Sequence, residues 1–114
     1  MTIKSNTQRQ LDALKEVRSL LAKPSAWTKG AYARDPEGNP TKTDATVACC
    51  FCLSGAICKV IGAPMEDEGH DALVRTLFPN GDSGSAIQFN DDPFRTHDEV
   101  LIKIDSGIAY LEAR

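Results

Sequence analysis

The sequence predicts a mainly α-helical fold: a compact bundle of about four helices, with a short β-hairpin or extended arm between the first two. Three observations predict it. Apolar residues recur at three- and four-residue spacing in several separate segments. Prolines and glycines fall between those segments, where helices stop. The one long non-helical stretch lies between the first and second periodic segments and is dense in turn-forming residues.

The first helix spans Ser5 to Lys23, where Leu11, Leu14, Val17 and Leu21 form one stripe. Both Ser5-x-x-Gln8 and Thr7-x-x-Gln10 fit a capping box. Pro24, which cannot donate the next backbone hydrogen bond, closes the helix. From about Ser25 to Thr46 the chain is non-helical. Ala31-Tyr32-Ala33-Arg34 reads as a short strand, and Asp35-Pro36-Glu37-Gly38-Asn39-Pro40 as the turn of a small hairpin.

The second helix is expected from Val47 to Ile61, capped by Asp44 or Thr46, with Cys49, Cys52, Leu53, Ala56 and Val60 sharing one face. It is apolar nearly all round, as a central helix is. Gly55 inside it costs about 1 kcal/mol against Ala, a cost tolerated where another element must approach closely. Gly62 ends it. Pro64 and the acids Glu66, Asp67 and Glu68 open a third helix with Leu73, Val74, Leu77 and Phe78 on its apolar face. His70 in that helix reads as a solvated residue. Ser85–Phe89 reads equally well as a helical turn or a strand. The last helix, from about Thr96 to Glu112, carries Val100, Leu101, Ile104, Ile108 and Leu111 on one stripe.

With 114 residues, 41% hydrophobic and 25% charged, the chain has the size and composition of one globular domain, taken as residues 1–114. A net charge of −3 with scattered Lys and Arg argues against a nucleic-acid partner. No apolar run approaches the ~20 residues that span a bilayer, and Met1–Thr7 has no apolar signal core, so a cytoplasmic protein without a membrane partner is expected. Cys49, Cys50, Cys52 and Cys58 are then reduced thiols.

Four groups of residues invite chemistry. On one continuous helix the four cysteines cannot converge on a tetrahedral metal, so they read as small buried hydrophobes, with no metal and no cofactor expected. Cys52, near a helix start, could join His97 and Asn90 or Asp91 in a Cys-His-Asx arrangement, and Cys52, His97 and Asp91 are the catalytic candidates. His97, however, lies in Thr96-x-x-Glu99, itself a capping box. The run Asn90-Asp91-Asp92 could take a divalent cation but lacks EF-hand spacing, and an ion pair of Asp91 with Arg34 or Arg95 would pin the same turn. Trp27, Gly30, Arg34 and Asp35 could grip a planar or anionic ligand, or plug the end of the bundle.

Taken together, Trp27-x-x-Gly30-Ala31-x-Ala33-Arg34-Asp35-x-x-Gly38, Cys52-x-x-Gly55-Ala56 and Phe89-Asn90-Asp91-x-Pro93-x-Arg95-Thr96-His97-x-Glu99-Val100-Leu101 resemble a family of small bacterial and phage proteins known as a domain of unknown function. The similarity runs over nearly the whole chain. The family pattern has a Trp-Cys pair where this chain has Phe51-Cys52, and it does not require Cys50. The resemblance implies a helical single domain but no established activity, substrate or cofactor. It marks Trp27, Arg34, Asp35, Cys52, Asn90, Asp91 and His97 as a shared group, which a polar bracket from hairpin to last helix would also explain.

The expectation that follows is a binding module for a protein or small ligand, more a non-enzyme than an enzyme. Its site is Trp27, Arg34, Asp35, Asn90, Asp91 and Arg95, and in a phage it would serve as an accessory or counter-defence protein sequestering a host component. The alternative is a cysteine-dependent hydrolase or transferase using Cys52, His97 and Asp91. An exposed stripe on the first or last helix is compatible with a homodimer.

Overall fold

The computed structural model describes residues 5–114. The chain is mainly helical, and α1 covers Asn6–Leu20. After a 3-10 turn at Pro24–Ala26 come three two-residue strands, β1 (Ala33–Arg34), β2 (Pro40–Thr41) and β3 (Cys50–Phe51). Four helices follow: α2 (Leu53–Ile61), α3 (Glu68–Leu77), α4 (Ser85–Asp91) and α5 (His97–Glu112).

The first helix starts where its sequence says it should. Ser5 Oγ accepts the Gln8 amide at 3.1 Å, satisfying one of the donors that a helix start leaves unpaired. Its stripe of Leu11, Leu14 and Val17, continued by Leu21, is buried and packs chiefly against α5 and α2. The predicted hairpin is present. Strand β1 pairs antiparallel with β2 through Ala33↔Thr41 and Arg34↔Pro40, and Asp35 Oδ1 holds the turn by accepting the Glu37 and Asn39 amides.

The second helix departs from expectation. It begins at Leu53, six residues after Val47, and neither Asp44 nor Thr46 caps it. The intervening residues have a better use. Turns close at Ala45 and Ala48, and Cys50–Phe51 then pairs with β1 as a third strand, Ala33↔Phe51 and Arg34↔Cys50, in the order β2-β1-β3. Strand β1 has a free edge to satisfy, and the run Val47 to Phe51 contains residues that lose little by being extended. Cys49 and Cys50 therefore lie outside the helix, and the face that Cys49 was to share with Cys52 does not exist. Cys52 is instead the N-cap.

Gly55 is needed where it stands. The Tyr32 main chain passes so close that a methyl group at residue 55 would overlap the Tyr32 carbonyl oxygen. Gly62, with φ 69°, ends α2 in the left-handed conformation that glycine adopts most easily. Helix α3 is capped by Asp67, whose Oδ1 accepts the Gly69 amide at 2.8 Å. The ambiguous Ser85–Phe89 segment is helical, within α4. The predicted capping box of α5 forms in full, with Thr96 Oγ1 accepting the Glu99 amide and Glu99 accepting the Thr96 amide. One further expectation fails: His70 is fully buried, not solvated.

Candidate functional site

The shared polar residues converge where the arm between α1 and β1 meets the end of α4. At the centre is Asn90, fully buried in the last turn of α4. Its Oδ1 accepts from the Trp27 indole N–H at 2.6 Å and from the Leu53 amide at 2.9 Å. Its Nδ2 donates to the Thr28 carbonyl and to Asp91 Oδ1, both at 2.9 Å. A side-chain amide offers two donors and a twofold acceptor, so Asn90 is saturated. The Leu53 amide is one of the donors left unpaired at the start of α2, so the same side chain locks the arm and caps a helix.

Asp91 extends the lock by accepting the Gly30 amide at 3.1 Å, at a residue whose φ of 78° suits glycine. Lys29 donates to the Asp92 carbonyl at 2.7 Å and lies 5.4 Å from the Trp27 ring centre. Arg34 braces the arm from the hairpin side, donating to Thr28 Oγ1 (3.0 Å), the Lys29 carbonyl (2.9 Å) and the Gly38 carbonyl (2.9 Å). Asp35 stays in the hairpin turn. Arg95 turns elsewhere: it donates to the Phe89 carbonyl at 2.8 Å, stacks on the Phe89 ring at 3.7 Å and pairs with Glu99 at 3.4 Å. The expected ion pair of Asp91 with Arg34 or Arg95 is thus replaced by contacts to main-chain groups. A guanidinium in the arm meets more carbonyls than carboxylates.

The catalytic candidates are brought into one neighbourhood without forming a relay. Cys52 is buried, and its Sγ accepts the Gly55 amide at 3.2 Å. Burial, chiefly, and the negative charge of Asp91 push its thiol up to about 11, against the lowering effect of the amide contact. His97 Nε2 lies 2.6 Å from the Leu21 carbonyl, which can only accept, so this nitrogen carries the proton. The imidazole packs 6.0 Å from the Trp27 ring. Glu99 is held below the usual carboxylate range, first by the Thr96 amide it accepts.

Two features of this region escape the sequence patterns. Thr28 supplies both a carbonyl to Asn90 and a hydroxyl to Arg34, and no motif singles it out. On the far side of α2, Ser54 and His70 form a buried pair, Oγ to Nε2 at 2.6 Å, and His70 Nδ1 has no hydrogen-bond partner among the described residues. That pair was legible in principle, because His70 extends the Leu73, Val74, Leu77 stripe one turn backwards. A separate groove of about 860 Å³ opens between the hairpin and the end of α2, lined by Tyr32, Pro40, Lys42, Cys58, Lys59 and Met65 among others. Among the described residues no group of three or more His, Cys, Asp or Glu side chains could hold a metal ion. No described helix is long and apolar enough to cross a membrane.

A small helical protein whose motif residues are bonded to its own main chain is what the fold and this junction define. Residues 5–110 match the model of a family described as a family of unknown function, DUF6197. The chain belongs to that family. No curated protein and no solved structure matches it.

Proposed function

We propose that the protein is a non-catalytic binding module that docks a protein partner against the outer face of the arm–turn junction. The observation that carries this reading is Phe94. It is 90% exposed, yet it sits in a braced turn: its amide donates to Asp92 Oδ1 at 2.9 Å, and the Arg95 amide closes on the Asp92 carbonyl at 3.0 Å. Lys29 ties the same segment to the arm through the Asp92 carbonyl. An aromatic side chain held out by a rigid frame loses little entropy on binding, which is how interface anchors act. A projecting ring suits a pocket on another protein; a small ligand asks for a concavity instead.

In this reading Trp27, Arg34, Asp35, Asn90 and Arg95 serve binding by holding the frame. Phe94 and the exposed carboxylates of Asp91 and Asp92 make the contact. The cysteine-hydrolase alternative finds no support here, because the Cys52 thiol is buried and raised, and the His97 Nε2 proton is committed to Leu21. The place of action we propose is the cytoplasm, where the four cysteines stay free. Sequestration of a host component by a phage accessory or counter-defence protein is a setting that suits such a module.

Phe94→Ala tests the reading. The variant should keep wild-type stability within about 0.5 kcal/mol, since the ring supports nothing in the fold. Affinity capture from cells of the natural source should yield one stoichiometric protein with the wild type and lose it with the variant. Equal recovery by both, or no retained protein with the wild type, overturns the proposal.

A further inference from the structure

The concavity that the Phe94 face lacks lies on another part of the molecule. The groove of about 860 Å³ between the hairpin and the end of α2 shares no residue with the arm–turn junction. Its size is that of a small-molecule site. Tyr32, 44% exposed, Pro40, Pro64 and Met65 give it apolar walls. Tyr32 Oη donates to Met65 Sδ at 3.4 Å, which ties the ring to the segment following α2.

Charge decides the occupant. Lys42 and Lys59 line the groove together with Asp44 and Glu66, so the formal charges of the lining cancel. None of these four side chains has an ion-pair partner among the described residues. The backbone breaks the tie. Cys58, Lys59 and Gly62 bring the C-terminal end of α2 to the groove, and that end is the negative pole of the helix. There the Gly62 and Ala63 amides both close on the Cys58 carbonyl, at 2.9 and 3.3 Å, and Pro64 has no amide to give. The carbonyls of Lys59, Val60 and Ile61 are left without a donor among the described residues. Lys59, in the last turn, answers this helix end before it answers any incoming anion. Glu66 acts in the same sense. After burial it is what raises the Cys58 thiol, and it adds to the rise of the Tyr32 phenol behind burial and two neighbouring thiols.

We propose that this groove binds an organic ammonium ion with an aromatic body. The ring packs on Tyr32, Met65 and the two prolines, while the ammonium pairs with Glu66 and has acceptors to spare at the end of α2. A carboxylate or phosphate ligand meets Glu66 and the helix end with the wrong sign. The net charge of −3 draws the same sign of ligand from a distance. Glu66 also borders a groove between the starts of α1 and α3, but Arg9 and the positive pole of α3 oppose a cation there.

Titrating the nitrogen-15-labelled full chain with tryptamine, tryptophol and indole-3-propionate tests the site. The three probes share a ring and an ethylene linker and differ in the charge of the group it carries. Tryptamine should shift the amides of Tyr32, Lys59, Gly62 and Ala63, with a dissociation constant of roughly 1 mM or below, as its size allows. Tryptophol should bind about tenfold more weakly, for want of a charge-assisted hydrogen bond, and indole-3-propionate more weakly still. The Glu66 side chain is exposed, so Glu66→Gln keeps the fold; it should cut tryptamine affinity about fivefold and leave tryptophol unchanged. Lys59→Gln should not weaken tryptamine at all. Tighter binding of indole-3-propionate than of tryptamine would mark an anion site built on the lysines and overturn the proposal. So would the absence of tryptamine-induced shifts, their confinement to the groove beside Arg9, or a Glu66→Gln protein that binds tryptamine as the wild type does.

Discussion

Leu53 and Ser54 are consecutive residues in the first turn of α2, and they meet opposite kinds of buried polar neighbour. The Leu53 amide goes to Asn90, whose four hydrogen bonds saturate it. The Ser54 hydroxyl goes to His70, equally buried, whose Nδ1 has no partner among the described residues. A fully satisfied buried polar group rigidifies and specifies its surroundings, whereas a half-satisfied one carries a desolvation cost. The Asn90 side is therefore expected to act as a structural lock, and the His70 side as the point where α2 and α3 respond to conditions.

The sharpest way to break this contrast is to remove the lock. Asn90→Ala strips partners from the Trp27 indole N–H, the Leu53 amide and the Thr28 carbonyl at once. At about 1–3 kcal/mol for each buried group left unpaired, less what water recovers, a loss of about 4 kcal/mol is expected in urea unfolding. A loss below about 1 kcal/mol would mean that the arm is held by other contacts. Gly55→Ala attacks the same end of α2 from the arm side, against the Tyr32 carbonyl that accepts the Cys52 amide. Its methyl meets the Tyr32 main chain, which cannot rotate away as a side chain could. About 2–3 kcal/mol of destabilisation follows from such overpacking, measurable as a lowered thermal midpoint. A gain instead, as expected for Gly→Ala in an unconstrained helix, would show that the arm gives way freely.

The outcome of reading the chain by pattern follows the same division. Stripes such as Leu11, Leu14, Val17 and Val100, Ile104, Leu111 were legible because each helix buries a face whose period is printed in the sequence. The Ser5 cap and the Thr96–Glu99 capping box were legible for the same local reason. Cys50 and Phe51 were not: their extended conformation answers an edge of β1 some sixteen residues earlier, and no local pattern carries that demand. At the junction the motifs located Trp27, Asn90, Asp91 and His97 together. They could not reveal how many of the polar atoms there are spent on main-chain groups, because a carbonyl or amide partner has no residue identity to read. Arg34 shows this best, with two backbone carbonyls and a threonine hydroxyl where a carboxylate was expected.

The His70 side yields the smallest effect and the finest test. Burial lowers the pKa of His70, and the nearby Asp71 and Glu66 only partly offset this. Protonation puts an N–H on both ring nitrogens, and Nδ1 has no acceptor among the described residues. A base whose folded pKa lies below its unfolded value of about 6.5 is protonated more readily in the unfolded chain. Stability is then full above that value and falls as pH drops through it, because the unfolded state takes up the proton. The slope is at most about 1.4 kcal/mol per pH unit for one such group. Comparing urea unfolding at pH 7.5 and 5.5 should reveal this fall in the wild type. The double variant Ser54→Ala/His70→Leu removes donor and acceptor together and should show a flatter profile at nearly unchanged neutral stability. Parallel profiles in the two proteins would place the acid sensitivity elsewhere, and would mean that Nδ1 finds a partner, such as a buried water, that makes His70 as well satisfied as Asn90.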